Sequence, residues 1–177
     1  DAAGNPTAVQ GFGGTTVVGR LLDQLAGLGT AQGTVGARPA GAWALREALG
    51  ERDGVRVVTS ADLHGDLLAA SAAVEGSQVP HVIAAADVVV HREALAGLVA
   101  DPRISSAVLA SLTAPQADTA FHLRALRGRV VSVGSPFHLV TGPTGYLLDV
   151  FTLAPAHAPA FLSAARALAW IPAVRAW

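Results

Sequence analysis

The chain has 177 residues, of which 51% are hydrophobic and 14% charged, and its formal net charge is −1. This composition fits one domain with a large buried core, and the charge provides no field that would attract nucleic acid or an anionic membrane. Cysteine is absent, which excludes disulfides, cysteine-bound zinc and thiol catalysis; lysine is absent as well, so all 12 basic residues are arginine. No stretch reaches the roughly 18 apolar residues of a membrane span, and the first ten residues lack the pattern of a signal peptide, so we expect a cytoplasmic domain.

Up to residue 112, stretches with helical spacing of apolar residues alternate with short β-branched or apolar runs. The helical spacing predicts helices over residues 16–28, 40–49, 62–74 and 91–100, with Thr15 or Thr16 as the N-cap of the first. The short runs predict strands over residues 34–38, 55–59, 79–86 and 106–112. This strict succession predicts right-handed βαβ units and a parallel sheet.

The alternation of predicted helices and strands ends after Thr113. Residues 121–125, 129–133 and 145–153 are predicted strands with no helix between them, and residues 156–170 form a closing apolar helix. The sequence therefore predicts a single domain over residues 1–177. Its expected fold is three-layer α/β, with a mostly parallel, doubly wound (Rossmann-like, GT-A-like) sheet and a more antiparallel C-terminal half.

Four segments carry a resemblance to nucleotidyltransferases of the GT-A-like, sugar or alditol-phosphate type. Residues 5–22 (NPTAVQGFGGTTVVGRLL) resemble the stretch after the family's phosphate loop, and the apolar strand ending in Ala86-Asp87 resembles the one that ends in a metal-binding aspartate. Residues 128–138 and 141–146 are similar to a nucleotidyltransferase-like region of actinobacterial proteins that also carry a CDP-alcohol phosphatidyltransferase domain. The resemblance implies Mg²⁺-assisted transfer of a nucleotidyl group from a nucleoside triphosphate to a phosphorylated small alcohol or sugar.

The candidate metal ligand is Asp87, at the end of an apolar strand where α/β sheets bind ligands. A carboxylate there suits Mg²⁺, which favours oxygen ligands. The alternative is that Asp87 caps the helix that begins near His91. Asp149 interrupts a later apolar strand; it is either a second metal carboxylate or an outward-facing strand residue.

The resemblance also places candidate residues for the nucleotide and for the acceptor. The candidate nucleotide-binding residues are Gly4, Thr7, Gly13 and Gly14; the alternative for the glycines is a plain turn before a helix. The candidate acceptor-binding residues are His138, Thr141 and Thr144, in loops that are alternatively tight hairpin connections.

Two departures from the family pattern bear on activity. The family opens with a strand running into a glycine-rich phosphate loop, whereas no strand precedes Ala2-Ala3-Gly4, so we expect the first strand and phosphate loop to lie upstream of this chain. The family's phosphate-binding lysine is Thr7 here, which leaves Arg20 as the nearby cation if it turns inward. Two functions follow: an active nucleotidyltransferase, or a catalytically degenerate nucleotide-binding or scaffolding domain attached to a membrane CDP-alcohol phosphatidyltransferase.

Overall fold

The structure, a computed structural model, describes residues 6–114, 121–135 and 138–169. Within these ranges the α-helices are α1 (Val17–Ala26), α2 (Ala42–Leu49), α3 (Leu63–Val74), α4 (Arg92–Ala100) and α5 (Ala158–Ala169). The strands are β1 (Gly11–Phe12), β2 (Thr15–Thr16), β3 (Gly33–Ala37), β4 (Val55–Thr59), β5 (His81–Ala84), β6 (Ala107–Ser111), β7 (His122–Leu126), β8 (Arg129–Val133) and β9 (Gly145–Leu153). None of the helices in the described ranges is both long and apolar enough to cross a membrane.

A small antiparallel hairpin, β1–β2, leads directly into α1. Thr16 is the N-cap of α1, and its hydroxyl accepts a hydrogen bond from the Gly19 N–H at 3.1 Å. This bond satisfies one of the N–H groups that a helix start leaves without a partner. The cap therefore fixes the orientation of the hairpin relative to the helix.

The first sheet in the described ranges is the parallel pair β3–β4. Arg38, directly after β3, makes a two-pronged ion pair with Asp66 of α3, with N–O distances of 2.6 and 2.8 Å. Ser60, directly after β4, donates a hydrogen bond to the same carboxylate. These contacts hold α3 against the carboxyl ends of both strands.

The second sheet has five strands, with β9 at its centre. Strand β9 pairs antiparallel with β6 along one side, and with β5 and the start of β7 along the other. Strand β8 pairs with β7 at the far edge. Strands β5 and β6 therefore run in the same direction, but the late strand β9 lies between them.

The helices cover both faces of these sheets, and the alternation of strand side chains shows which helix lies on which face. Val82 and Ala84 of β5 pack in the cluster that contains Leu21 of α1, whereas Ile83 packs against Val74 of α3. Successive strand residues point to opposite faces of a sheet. Helix α1 therefore lies on one face of β5 and α3 on the other.

Every helix and strand predicted from the sequence is present, with ends shifted by no more than two residues. The α/β class and the antiparallel C-terminal half are confirmed. Parallel pairing between named strands is confined, within the described residues, to β3–β4. The reason is that β9 inserts between β5 and β6, and its pairing partners cannot be deduced from the order of the strands along the chain.

Candidate functional site

A cavity of about 2540 Å³ is lined by residues of both sheets, and the candidate metal ligand Asp87 is among them. Residues of β3 and β5 line it, as do Thr7 and Asp87. It is open to solvent. The cavity brings the candidate metal ligand and one candidate nucleotide-binding residue onto the same surface.

Asp87 lies in a turn three residues beyond the last residue of β5, and it is exposed. Helix α4 begins at Arg92 with His91 at the N-cap position, and no side chain caps it. Asp87 therefore does not cap this helix. Its position beyond the carboxyl end of β5 is the one at which α/β folds bind ligands.

Asp149 of β9 lines the same cavity as Asp87. Its φ is 51°, in the left-handed region that few residues other than glycine adopt. It lies where the register between β6 and β9 shifts, and such bulges redirect a side chain. Burial and, secondarily, the negative charge of Asp87 raise the pKa of the Asp149 carboxyl.

The two carboxylates fit a divalent cation bound by oxygen ligands. Both carboxylates belong to residues that line the cavity, and the raised pKa of Asp149 means that its charge lacks sufficient compensation from the protein. Mg²⁺ binds through one or two carboxylates and retains several waters, so the chemistry of this pair would suit it. No group of three or more His, Cys, Asp or Glu residues with metal-binding geometry occurs among the described residues.

Gly13 and Gly14 form the turn of the β1–β2 hairpin, with φ values of 61° and 86°. Positive φ at both central residues is the requirement of the tightest hairpin turns, which explains the glycine pair. Of the two interpretations of this segment, the structure shows the turn. Neither glycine lines the cavity beside Asp87, and Gly4 lies outside the described residues.

Arg20 turns toward this hairpin. Its guanidinium lies 5.2 Å from the centre of the Phe12 ring, and a Cβ on Gly13 would be 3.6 Å from its Nη1. The Nε of Arg20 is buried and has no hydrogen-bond partner. An arginine with an unsatisfied donor beside a glycine turn is suited to an anionic oxygen, and the sequence left its direction open.

The arginines that line the cavity itself are engaged elsewhere. Arg38 is paired with Asp66, and Arg52 with Asp23 at 2.6 Å. Arg56 donates a hydrogen bond to the Thr34 hydroxyl. A polyphosphate in the cavity would therefore compete with existing partners for each of these cations.

The candidate acceptor residues lie in loops that do not line this cavity in their described parts. The Thr144 hydroxyl accepts a hydrogen bond from the Ala125 N–H at 2.8 Å, and the His138 ring nitrogen Nε2 is 3.0 Å from the Ser132 hydroxyl. Thr141 is exposed. These contacts are those of hairpin connections, so Asp87, Thr7 and Asp149 line one cavity and the acceptor candidates do not.

No family model matches the chain, and no curated protein matches it. Among solved structures, it is similar to the inositol-1-phosphate CTP transferase from T. maritima, with a TM-score of 0.62 at 13% sequence identity. The match covers 87% of this chain and 64% of that chain, so this chain spans less than two thirds of that structure. A likeness at this identity shows the fold alone: the chain has a nucleotidyltransferase-like α/β fold.

Proposed function

We propose that this domain transfers a nucleotidyl group from a nucleoside triphosphate to a phosphorylated small alcohol or sugar, in the cytoplasm and with Mg²⁺. In this reaction a phosphate oxygen of the acceptor attacks the α-phosphorus of the triphosphate and pyrophosphate leaves. The observation that carries the proposal is that Asp87, just beyond β5, and Asp149 of β9 line the same cavity and that the charge of Asp87 acts on the Asp149 carboxyl. The nucleotidyltransferase-like fold supports it.

Each candidate residue has a separate part in this proposal. Asp87 and Asp149 would hold Mg²⁺, which when bound neutralises charge on the phosphates. Thr7 would donate a hydrogen bond to a phosphate oxygen from the same cavity. The Gly13-Gly14 turn and Arg20 do not line this cavity, so they would contribute backbone N–H groups and a cation only if the hairpin approaches the nucleotide when it binds. His138, Thr141 and Thr144 remain candidates for the acceptor only if their loops approach the nucleotide when it binds.

Titration calorimetry of CTP and ATP, with and without Mg²⁺, tests the site. Asp87→Asn should abolish the Mg²⁺-dependent part of nucleotide binding and leave the fold intact by circular dichroism. Glu93→Gln is the matched control, because Glu93 is exposed and does not line the cavity. Equal nucleotide affinity of Asp87→Asn and the unchanged chain would contradict the metal role.

A second candidate function is a degenerate nucleotide-binding or scaffolding domain attached to a membrane CDP-alcohol phosphatidyltransferase. The specific observation that favours it is the shortage of available cations: the chain has no lysine, and Arg38 and Arg52 are paired with carboxylates. Loss of one donor to developing charge typically slows such enzymes by about 10²- to 10³-fold. If the domain is degenerate, we expect nucleotides to bind weakly and pyrophosphate release to be undetectable. Robust turnover by the unmodified chain would refute it.

A further inference from the structure

Charge is distributed unevenly along the chain, although its formal net value is only −1. Residues 6–114 contain seven arginines and ten aspartates or glutamates, whereas residues 121–148 contain three arginines and no acidic residue. The three are Arg124, Arg127 and Arg129. The net charge therefore does not reveal this cationic segment, and a local cluster of one sign attracts an anionic surface even when the whole chain is nearly neutral.

The cationic segment contains the hairpin of β7 and β8, which projects beyond the second sheet. Strand β7 pairs with the central strand β9 only through His122 and Leu123. The Ala125 N–H donates a hydrogen bond to the Thr144 hydroxyl, and strand pairing beyond this residue is confined, within the described ranges, to β7 and β8 themselves. We refer to residues 124–131 as the arm. All three arginines lie in it.

The arginines of the arm are exposed, and none of them forms an ion pair within the part of the chain that the structure describes. Four arginines elsewhere in that part are paired with carboxylates: Arg38, Arg52, Arg103 and Arg166. The arm therefore presents three positive charges that no carboxylate of the described residues neutralises.

One of these arginines occupies an unusual place in the turn. Leu126 pairs with Arg129, so Arg127 and Gly128 form a two-residue turn, with φ values of 51° and 76°. Such turns need positive φ at both positions, which favours asparagine, aspartate or glycine. Positive φ is uncommon for other residues because of steric clashes. The backbone of the turn alone does not favour arginine at the tip of the arm, so we look to its side chain for the reason.

Exposed aliphatic side chains lie among the arginines. Leu126, Val130 and Val131 of the arm are 57%, 43% and 56% exposed. Leu112, directly after β6, is 89% exposed, and a Cβ on Gly145 at the start of β9 would be 3.9 Å from its side chain. Because β6 and β7 both run antiparallel to β9, Leu112 and the arm lie at the same end of the sheet. Exposed apolar groups that cluster in this way mark interaction surfaces.

The combination of positive charge and apolar surface distinguishes between anionic partners. Nucleic acid would pair with the arginines but would place the leucine and valines of the arm against a charged backbone, and residues 124–131 include no aromatic side chain on which a base could stack. A bilayer with anionic lipids accommodates both kinds of side chain. Its headgroup phosphates pair with guanidinium groups, and aliphatic side chains enter the boundary between headgroups and acyl chains.

We propose that the arm docks the protein on a membrane surface that contains anionic lipids, with its arginines at the headgroups and Leu126, Val130 and Val131 in the interfacial layer. The residues of the arm do not line the cavity that Asp87 lines, so the proposal does not depend on the proposed nucleotidyl transfer. Three arginines and a few aliphatic side chains give a reversible, peripheral attachment. Its electrostatic part should weaken as the salt concentration rises.

Cosedimentation with lipid vesicles tests the proposal. We expect the chain to bind vesicles of phosphatidylcholine with about 30% phosphatidylglycerol, and not vesicles of phosphatidylcholine alone. The combined change Arg127→Asn and Arg129→Gln should weaken this binding about tenfold or more, and asparagine suits the positive φ at position 127. The control combines Arg46→Gln with Arg92→Gln, which removes the same charge from two exposed arginines outside the arm. It should bind as the unchanged chain does.

A second reporter uses the absence of cysteine. Leu126→Cys carries an environment-sensitive fluorophore in the arm. Gln78→Cys carries it just before β5, at the opposite end of the sheet, since β5 begins where β9 ends. On addition of anionic vesicles, the emission of the fluorophore at position 126 should shift to the blue and be quenched by nitroxide-labelled lipid. The emission at position 78 should change in neither way.

The outcomes separate the possible partners of the arm. No binding to anionic vesicles, equal weakening by the arm variant and its control, or binding without a spectral change at position 126 would each overturn the proposal. The same spectral shift with double-stranded DNA in place of vesicles would overturn it in favour of nucleic acid. A shift that grows with protein concentration in the absence of lipid would overturn it in favour of a second copy. Binding that requires anionic lipid and the arm arginines, with a shift at position 126 alone, supports it.

Discussion

The charge of Asp87 contributes to raising the pKa of Asp149, although the two residues are separated by most of the C-terminal half of the chain. Both line one cavity because β9 pairs antiparallel with β5 and its register shifts near Asp149. Neither carboxylate forms an ion pair within the described residues. The pair is therefore a destabilising feature of the folded chain unless a cation binds it.

This relationship predicts that Asp149→Asn stabilises the protein at pH 7 in the absence of divalent cations. A carboxyl whose folded-state pKa is raised weakens stability as pH rises above its unfolded value near 3.8, so the gain should disappear as pH falls toward that value. We expect about 0.5 kcal/mol, the scale of solvent-screened charge interactions, since asparagine tolerates the positive φ. Urea unfolding at pH 7 and pH 4 measures it.

The control for this prediction is Asp101→Asn, because Arg103 holds the pKa of the Asp101 carboxyl below its usual range. Asp101→Asn should not raise the free energy of unfolding at pH 7. Addition of Mg²⁺ should stabilise the unchanged chain and leave Asp149→Asn unaffected. A Mg²⁺-induced shift of equal size in both proteins would mean that the cation binds elsewhere.

The contacts of Arg38 with Asp66 predict a loss of stability in acid. The Arg38 hydrogen bonds and, less strongly, that from Ser60 lower the pKa of Asp66, while burial opposes the shift. Its contribution is therefore present above the unfolded value of 3.8 and is lost as pH falls through the lower folded-state value. We expect Asp66→Asn to cost about 1 kcal/mol at pH 7 and progressively less as pH falls below 3.8, measured by thermal unfolding.

Ser60→Ala provides the graded comparison, since it removes one hydrogen bond to Asp66 and leaves the ion pair. It should cost less than Asp66→Asn at pH 7. If the cost of Asp66→Asn did not change with pH, the side chain would act through packing against the ends of β3 and β4 and not through its charge.

The N-cap of α1 predicts a stability effect at the hairpin. Thr16→Ala removes the acceptor for the Gly19 N–H and should lower the free energy of unfolding by about 1 kcal/mol. The matched control is Thr15→Ala, whose hydroxyl makes no such bond. Urea unfolding distinguishes the two variants, provided that the unfolding free energy depends on urea concentration with the same slope in both. Equal losses would show that the hairpin, and not the cap, carries the stability.

Periodicity alone predicted the helices and strands, because each apolar face must be buried against a neighbour. The placement of Asp149 could not be predicted in this way. The run YLLDVFTL shows an aspartate in an apolar strand, but its direction depends on a bulge set by pairing with β6, more than 30 residues earlier. The aspartate within an apolar run indicated an unusual position, but the direction of its side chain depends on the pairing register of β9.

The turn at Gly13-Gly14 was recognisable from the glycine pair, although the two short strands around it were not. Strands of two residues are too short to show the alternation of apolar and polar residues by which strands are predicted.

The final prediction uses Thr7 to distinguish an active nucleotidyltransferase from a catalytically degenerate domain. This residue is exposed and lines the cavity that Asp87 and Asp149 line. Thr7→Lys should tighten CTP or ATP binding by about 10- to 100-fold, since a hydrogen bond to a charged group contributes about 1.5–3 kcal/mol. Calorimetry in constant Mg²⁺ measures the change. Thr30→Lys is the control, because Thr30 lines the same cavity before the start of β3 and adds the same charge away from Pro6 and the hairpin. An equal gain in affinity from both substitutions would reflect general attraction of the polyphosphate to added charge. No gain in affinity from Thr7→Lys would show that the nucleotide does not bind next to Thr7.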